Sequence, residues 1–265
     1  MPIWKFTIAY DGANFAGWQE QPESRSVQLV METAWRQITG ESVRLVASGR
    51  TDAGVHAIGQ VVGVETNSPL SGTQLMAGLN SQLPEDVAVL KVEAGPIGFH
   101  AVVDAVSKQY RYAIHNSRVA PVLDRLQVWH VRKPLKVEAM QQAAQTLVGT
   151  HDFSSFSVAK SQRESMVRTV VSLDVRCVPV DGYGPGSHLI LFDVVGQGFL
   201  HHMVRIFVGS LVWVGQGSRP ASWMAEVLAA CDRRSAGQTA PPQGLKLIRV
   251  EYESRESRVE SPELG

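Results

Sequence analysis

Cysteine is scarce: Cys177 and Cys231 are the two in a chain of 265 residues. Neither stands at metal-ligand spacing, and a single pair builds no disulfide framework, so both are expected to be reduced thiols of a cytoplasmic protein. Long apolar runs are missing too, which removes any segment able to span a bilayer. The start, Met1-Pro2-Ile3-Trp4-Lys5, lacks the basic start and apolar run of a signal peptide. There is no excess of either charge, with 25 bases against 25 acids. That argues against a nucleic-acid binder working through overall basicity. The balance hides an asymmetry, since Glu251, Glu253, Glu256, Glu260 and Glu263 oppose only Arg255 and Arg258 at the C-terminus. Residues 1–250 then hold 23 bases and 20 acids. Any RNA binding must come from a local basic surface. With 44% hydrophobic and 19% charged residues, the chain has the material for one large core or two modest ones.

Hydrophobic periodicity orders the rest. Residues 2–10 alternate, with Trp4, Phe6, Ile8 and Tyr10 on one side, as a half-buried strand does. Asp11-Gly12 ends it, and a polar loop runs to Glu23. Ser26 is placed to cap a helix carrying Val27, Val30, Met31, Ala34, Trp35 and Ile38, with Gly40 at its stop. A short strand at Val43–Ala47 follows, then a loop, a valine-rich strand over Ile58–Glu65, a helix from Ser71 to Leu83 ended by Pro84, and a strand through Val87, Val89 and Val92. The order strand, helix, strand, strand, helix, strand is that of a split βαβ, or ferredoxin-like, unit. After a connector over 94–107 it restarts: a strand with Tyr110, Tyr112 and Ile114, a polar link, a helix from Val137 to Val148, a loop over Gly149–Phe156, strands at Val167–Val178 and Leu189–Val195, helices at Leu200–Val214 and Ala221–Ala230, and a closing strand over 245–252. The expected fold is α+β: two ferredoxin-like halves, residues 1–105 and 106–265, related by pseudo-twofold symmetry, with mainly antiparallel sheets flanking a central cleft.

Chemistry concentrates at Ser48-Gly49-Arg50-Thr51-Asp52-Ala53-Gly54-Val55-His56-Ala57. Glycines around an arginine and an aspartate favour a sharp loop. Arg50 lies close enough in sequence to pair with the Asp52 carboxylate. Such a loop suits either an ordinary solvated turn or a presented catalytic carboxylate. In Lys108-Gln109-Tyr110-Arg111-Tyr112 bases and aromatics alternate on a strand, which is either one core face and one wet face or a stacking platform beside phosphate-binding cations. His201-His202 resembles a metal pair, but neighbours on a helix diverge and further ligands at useful spacing are missing, so no metal is expected. Arg205 sits in the apolar run Met203-Val204-Arg205-Ile206-Phe207-Val208, where an unpaired arginine is costly; a carboxylate partner is expected, Asp52 among the choices. His151, Asp152 and Ser154 tempt a hydrolase reading, without the nucleophile elbow that chemistry uses. Arg111, Arg118, Arg125, Arg132, Lys133, Lys160, Arg163 and Arg168 gather in the second half, where together they suit a polyanion.

The decapeptide from Ser48 to Ala57 resembles the signature of the tRNA pseudouridine synthase A family. The likeness extends to Tyr10-Asp11-Gly12 with Phe15 and Gly17-Trp18-Gln19, to Tyr110-x-Tyr112, to Gly149-Thr150-His151-Asp152-Phe153, and to Phe199-Leu200-His201-His202-Met203-Val204-Arg205, in the family's order. It implies isomerisation of uridine to pseudouridine at positions 38, 39 and 40 of the tRNA anticodon stem-loop, no cofactor, and a homodimer holding the tRNA. By position it makes Asp52 the catalytic carboxylate, Tyr110 the residue that stacks on the target uracil, Arg205 the partner of Asp52, and Arg50 an aid in displacing the flipped nucleotide. His56 is then structural. The chain departs from the family's pattern at Val102, where an arginine commonly follows the His-Ala pair, and at Lys108-Gln109, where an arginine pair is frequent. Two rival readings remain: a non-catalytic RNA-binding module, which has no need of the arginine-flanked Asp52 that this chain carries, and a hydrolase built on His151 and Asp152, whose nucleophile elbow or metal set is missing.

Overall fold

The computed structural model describes residues 1–158 and 165–253. In chain order its elements are β1 (Ile3–Tyr10), α1 (Val27–Thr39), β2 (Val46–Ala47), β3 (His56–Glu65), α2 (Gly72–Gln82), β4 (Val87–Ala94), β5 (Ala105–Asn116), β6 (Trp129–Val131), α3 (Val137–Gln145), β7 (Gly149–Asp152), β8 (Val167–Pro179), β9 (His188–Gly196), α4 (Met203–Gly215), α5 (Trp223–Ala230) and β10 (Leu245–Tyr252). The chain is α+β with mostly antiparallel pairing, as expected: β1 with β3 and β4, β2 with β3, and β8 with β7 and β9 are antiparallel, while β5 and β6 run parallel. No helix among the described residues is long and apolar enough to cross a membrane. The described residues form two compact units, Met1–Lys108 with Ile248–Glu253, and those between Gln109 and Leu247.

In the first unit the strands lie in the order β4-β1-β3, with β2 also on β3. The period-two pattern of β1 sends Phe6, Ile8 and Tyr10 into the core. The 3.6-residue pattern of α1 brings Val27, Met31, Ala34 and Trp35 onto them, and Trp35 meets Phe6 edge to face at 5.8 Å. Ser26 caps α1 by accepting the Leu29 N–H, and Gly40 ends it at φ 73°. Ser71 and Gln74 form a reciprocal box at the start of α2, whose Leu75 and Leu79 are fully buried. Near its end β1 slips register against β3, from Ile8 opposite Gln60 to Tyr10 opposite Ala57. Such a bulge re-aims the side chain beside it, here Tyr10.

The second unit carries the strand order β5-β9-β8-β7, with β6 on β5. Tyr110, Tyr112 and Ile114 are buried on one face of β5. Phe192 and Val194 of β9 and Leu173 and Val175 of β8 are buried with Met140, Ala143 and Ala144 of α3. Almost all of α4 is buried, which suits a helix apolar on every side; Arg205 and Trp213 are its half-buried members. Trp213 stacks on Trp223 of α5 at 5.7 Å. The loop over 236–241 is stitched to α4: Gly237 N–H donates to Ser210 Oγ at 2.9 Å, and a β-carbon on Gly209 would lie only 1.8 Å from the Gln238 carbonyl oxygen.

Several expectations are corrected. Gly149–Phe156 is not a plain loop but β7 followed by a short 3-10 turn at Ser154–Phe156. This polar edge strand exists by pairing with β8, where Thr150 and Thr169 share a hydroxyl bond of 2.8 Å, and pairing leaves no periodic mark. The polar link hides β6, three residues added in parallel to β5. The strand expected over Val43–Ala47 is only Val46–Ala47, and α3 stops at Gln145, not Val148. The helix expected from Leu200 starts at Met203, because His202 takes a left-handed backbone at φ 63°. Ile3 is buried, whereas Trp4 is only half-buried. Lys160, Arg163, Arg255, Glu256, Arg258, Glu260 and Glu263 lie outside the described residues.

Candidate active site

The loop between β2 and β3 is sorted by side. Ser48 and Thr51 are buried, Arg50 is exposed and Asp52 is half-exposed. Its turn is closed by Val55 N–H donating to the Asp52 carbonyl at 3.1 Å, with Gly54 at φ 77°, the left-handed angle that the third residue of a type II turn needs. The segment after β1 packs against it. Trp18 N–H donates to the Thr51 carbonyl at 3.1 Å and Gly54 N–H to that of Phe15 at 3.3 Å. At Gly12 a β-carbon would sit 2.0 Å from the Val55 carbonyl oxygen, so this approach excludes any side chain. His56, as expected, is structural: buried, it accepts the Gly12 N–H at Nδ1 over 3.0 Å and fixes that segment.

Beneath the loop lies a polar network that the sequence reading passed over. Gln60, in a valine-rich strand, is fully buried. It accepts the Ser48 hydroxyl at 2.7 Å and donates to the Gly49 carbonyl at 2.8 Å. Tyr10 Oη and Thr51 Oγ1 share a bond of 2.8 Å. Lys108 Nζ donates to the Ser48 carbonyl at 2.6 Å. Burial pushes the Tyr10 hydroxyl up to about 12, against the opposing effect of its bonds to Thr51 and Gln60, so it stays a neutral donor and acceptor at physiological pH. The available signal was the glutamine itself, a residue strands seldom bury unpaired.

In the second unit Tyr110 is 8% exposed and its ring stands edge-on to Phe199 at 5.2 Å and 87°. Tyr112 Oη donates to the Pro241 carbonyl at 2.7 Å, and burial raises its pKa well above the ordinary phenol value, against the opposing charge of Arg205. Arg205 Nε donates to the Ala240 carbonyl at 2.8 Å, while Ala240 N–H returns a bond to the Arg205 carbonyl at 3.0 Å. Half-burial of this arginine is therefore met in part by backbone, a partner class that the expectation of a carboxylate left out. His201 and His202 do not diverge as helix neighbours would; outside the helix, their rings come within 4.0 Å.

Three members of the basic set, Arg111, Arg125 and Arg168, are held by local bonds. Arg111 grips Asp193 with two bonds of 2.8 and 3.1 Å, and Arg176 and Gln109 reach the same carboxylate at 3.4 and 3.3 Å. Arg125 donates to Val122, and Arg168 to Ser165 and Val167. Arg118, Arg132 and Lys133 are exposed. His151 is tied to the Val148 carbonyl at 3.0 Å, and Asp152 closes a turn onto the Ser154 N–H at 2.8 Å. These bonds are those of a structured loop and give the hydrolase reading no support.

The family model described as tRNA pseudouridine synthase matches residues 7–102 and 143–253. The chain belongs to the tRNA pseudouridine synthase family. It is 46% identical over 245 residues to a Brevibacillus brevis protein named tRNA pseudouridine synthase A, covering 92% of this chain and 97% of that one. A protein of the same name from Moorella thermoacetica is 47% identical over 255 residues, covering 95% of this chain and all of the other. One from Shigella boydii is 42% identical over 257 residues, covering 96% and 92%. The enzyme is an isomerase that converts uridine to pseudouridine in tRNA. Arg50, Asp52 and Arg205 fall inside the family match, and Tyr110 falls between its two segments.

Proposed function

We propose that Asp52 is the carboxylate that carries this isomerisation, acting on uridines at positions 38, 39 and 40 of the anticodon stem-loop. The reaction breaks the bond from ribose C1′ to uracil N1, turns the base, and joins C1′ to C5. A proton leaves C5 and one arrives at N1, so atoms balance with no redox partner and no cofactor. A carboxylate serves this either by attacking C1′ or by taking a sugar proton to give a glycal. The observation that supports Asp52 is the sorting of its loop: Ser48 and Thr51 are bonded inward while Arg50 and Asp52 stand on the open side.

Tyr110 is given the detached uracil. A stacked ring fixes no hydrogen-bond direction, so the base can turn in its plane, and stacking contributes about 1–3 kcal/mol. The edge contact with Phe199 supports this role by fixing the tilt of the Tyr110 ring. Its hydroxyl or a water takes the C5 proton. Arg205 is assigned as the cationic partner of Asp52, and Arg50 as the group that helps extrude the nucleotide, a step costing a few kcal/mol. The scaffold is read as two ferredoxin-like halves. Support comes from the order β1-α1-β2-β3-α2-β4 with strands β4-β1-β3-β2, and, once β6, β7 and α5 are set aside as additions, from the order β5-α3-β8-β9-α4-β10 with β5-β9-β8 adjacent. We assign the working form as a homodimer, and place it in the cytoplasm, which the free thiols of Cys177 and Cys231 support.

The deciding experiment uses tRNA tritiated at uridine C5. Asp52→Asn and Asp52→Ala should release no tritium above background while binding tRNA within about twofold of the parent, since phosphate contacts dominate affinity. Turnover near the parent rate in either variant would remove Asp52 from the chemistry.

A further inference from the structure

Gln60 stands opposite Ile8 in the β1–β3 ladder, a register position that normally takes an apolar side chain. Its amide is fully bonded there. The Val61 N–H and the Ser48 hydroxyl donate to Oε1 at 3.2 and 2.7 Å. Nε2 donates to the Gly49 carbonyl at 2.8 Å and to Tyr10 Oη at 3.4 Å. Only one orientation of the amide satisfies this set, because the Val61 N–H must meet an acceptor and the Gly49 carbonyl must meet a donor. One proton of Gln60 is directed at Tyr10 Oη, and the phenol in turn shares a hydroxyl bond of 2.8 Å with Thr51 Oγ1. A continuous chain of bonds thus runs from Gln60 through Tyr10 to Thr51, and Asp52 is the next residue.

We propose that Gln60 and Tyr10 are positioning residues for Asp52: one buried amide and one buried phenol hold Ser48, Gly49 and Thr51 and so fix where the neighbouring carboxylate stands. The proposal rests on the reading of Asp52 as the reacting group. The network needs β1 and β3 in register, and the bulge between Ile8 and Tyr10 brings the phenol to Thr51. Buried on the inner side, these groups touch no substrate; their effect passes through the loop backbone. A loop held by water-exposed bonds alone would sample several positions of the carboxylate. A buried and fully satisfied network specifies one.

Steady-state kinetics on tRNA tests this with Tyr10→Phe, Thr51→Val, Thr51→Ser, the double variant and Gln60→Met, alongside Asp52→Asn. Tyr10→Phe and Thr51→Val should each lower kcat by about 10- to 100-fold, as a small misplacement of a reacting group does, with KM changed by no more than about twofold. Thr51→Ser keeps the hydroxyl and should recover the parent kcat. The double variant should be no slower than the worse single one, because both remove the same bond. A purely structural role would lower the melting temperature and leave kcat of the folded enzyme unchanged. Parent-like kcat in Tyr10→Phe and Thr51→Val, with Asp52→Asn inactive, overturns the positioning proposal alone. Turnover by Asp52→Asn overturns both readings. Gln60→Met should lose at least as much kcat as Tyr10→Phe; if it does not fold, the Tyr10 and Thr51 variants decide.

Discussion

Gly17→Ala isolates the fit between the Asp52 loop and the segment that supports it. Gly17 has φ 102°, and a β-carbon there would lie 2.7 Å from the Thr51 carbonyl oxygen and 3.2 Å from both the Ala53 nitrogen and the Asp52 carbonyl carbon. Two costs add. A left-handed backbone for alanine costs about 1–2 kcal/mol. Relieving the overlap with backbone atoms, which cannot rotate away, costs about 1–3 kcal/mol. The sum of about 2–5 kcal/mol corresponds to a fall in melting temperature of roughly 5–15 °C for a chain of this size. Gly40→Ala is the control. Its φ of 73° carries the first cost, but nothing lies within 4 Å of its β-carbon, so the second is missing. Gly17→Ala should also slow tritium release by about tenfold or more, since Thr51 must shift and Asp52 shifts with it. Thermal unfolding followed by circular dichroism and tritium release together read both effects. The reasoning fails if Gly17→Ala melts with Gly40→Ala, or melts lower yet turns over like the parent.

Two further outcomes follow from the same structure. Tyr110→Phe keeps the stacking face and should turn over within a few-fold of the parent, whereas Tyr110→Ala should lose about 10- to 100-fold in kcat/KM, the equivalent of one stacking contact; equal rates in Ala and parent would remove the platform, and a severe loss in Phe would give the hydroxyl the proton-transfer role. Arg25 grips Asp86 with bonds of 2.7 and 2.8 Å and holds its carboxyl below the usual carboxylate range. A depressed acid stabilises the fold above its unfolded pKa of about 3.9 and loses that contribution as pH falls through the folded value. Asp86→Asn should therefore destabilise by about 1 kcal/mol or less from pH 5 to 8, the pair being partly exposed, with the difference shrinking below about pH 4 in urea unfolding. A difference that grew on acidification would refute the assignment.

Much of the local architecture was legible because its causes sit within a few residues. Ser26 and Gly40 bound α1 by chemistry written at those two positions. The alternation of β1 named its core face apart from Ile3 and Trp4. The loop from Ser48 to Ala57 announced itself by its glycines, and its angle at Gly54 is one that glycine adopts freely. The strand edges were less legible: β6 and β7 exist by pairing with strands outside their own sequence neighbourhood.

The sequence alone determined where the candidate groups stand: a carboxylate flanked by glycines and an arginine, a tyrosine on a strand, and an arginine in an apolar helix. It also carried the family to which they belong. Only tertiary structure decided what holds them. Asp193 meets Arg111 across 82 positions of sequence, Ala240 meets Arg205 across 35, and Tyr10 meets Thr51 across 41. Periodicity and glycine angles are properties of neighbouring residues. A hydrogen-bond partner is a property of the packed chain, so the buried glutamine beneath the Asp52 loop looked like one more polar residue until β1 and β3 were in register.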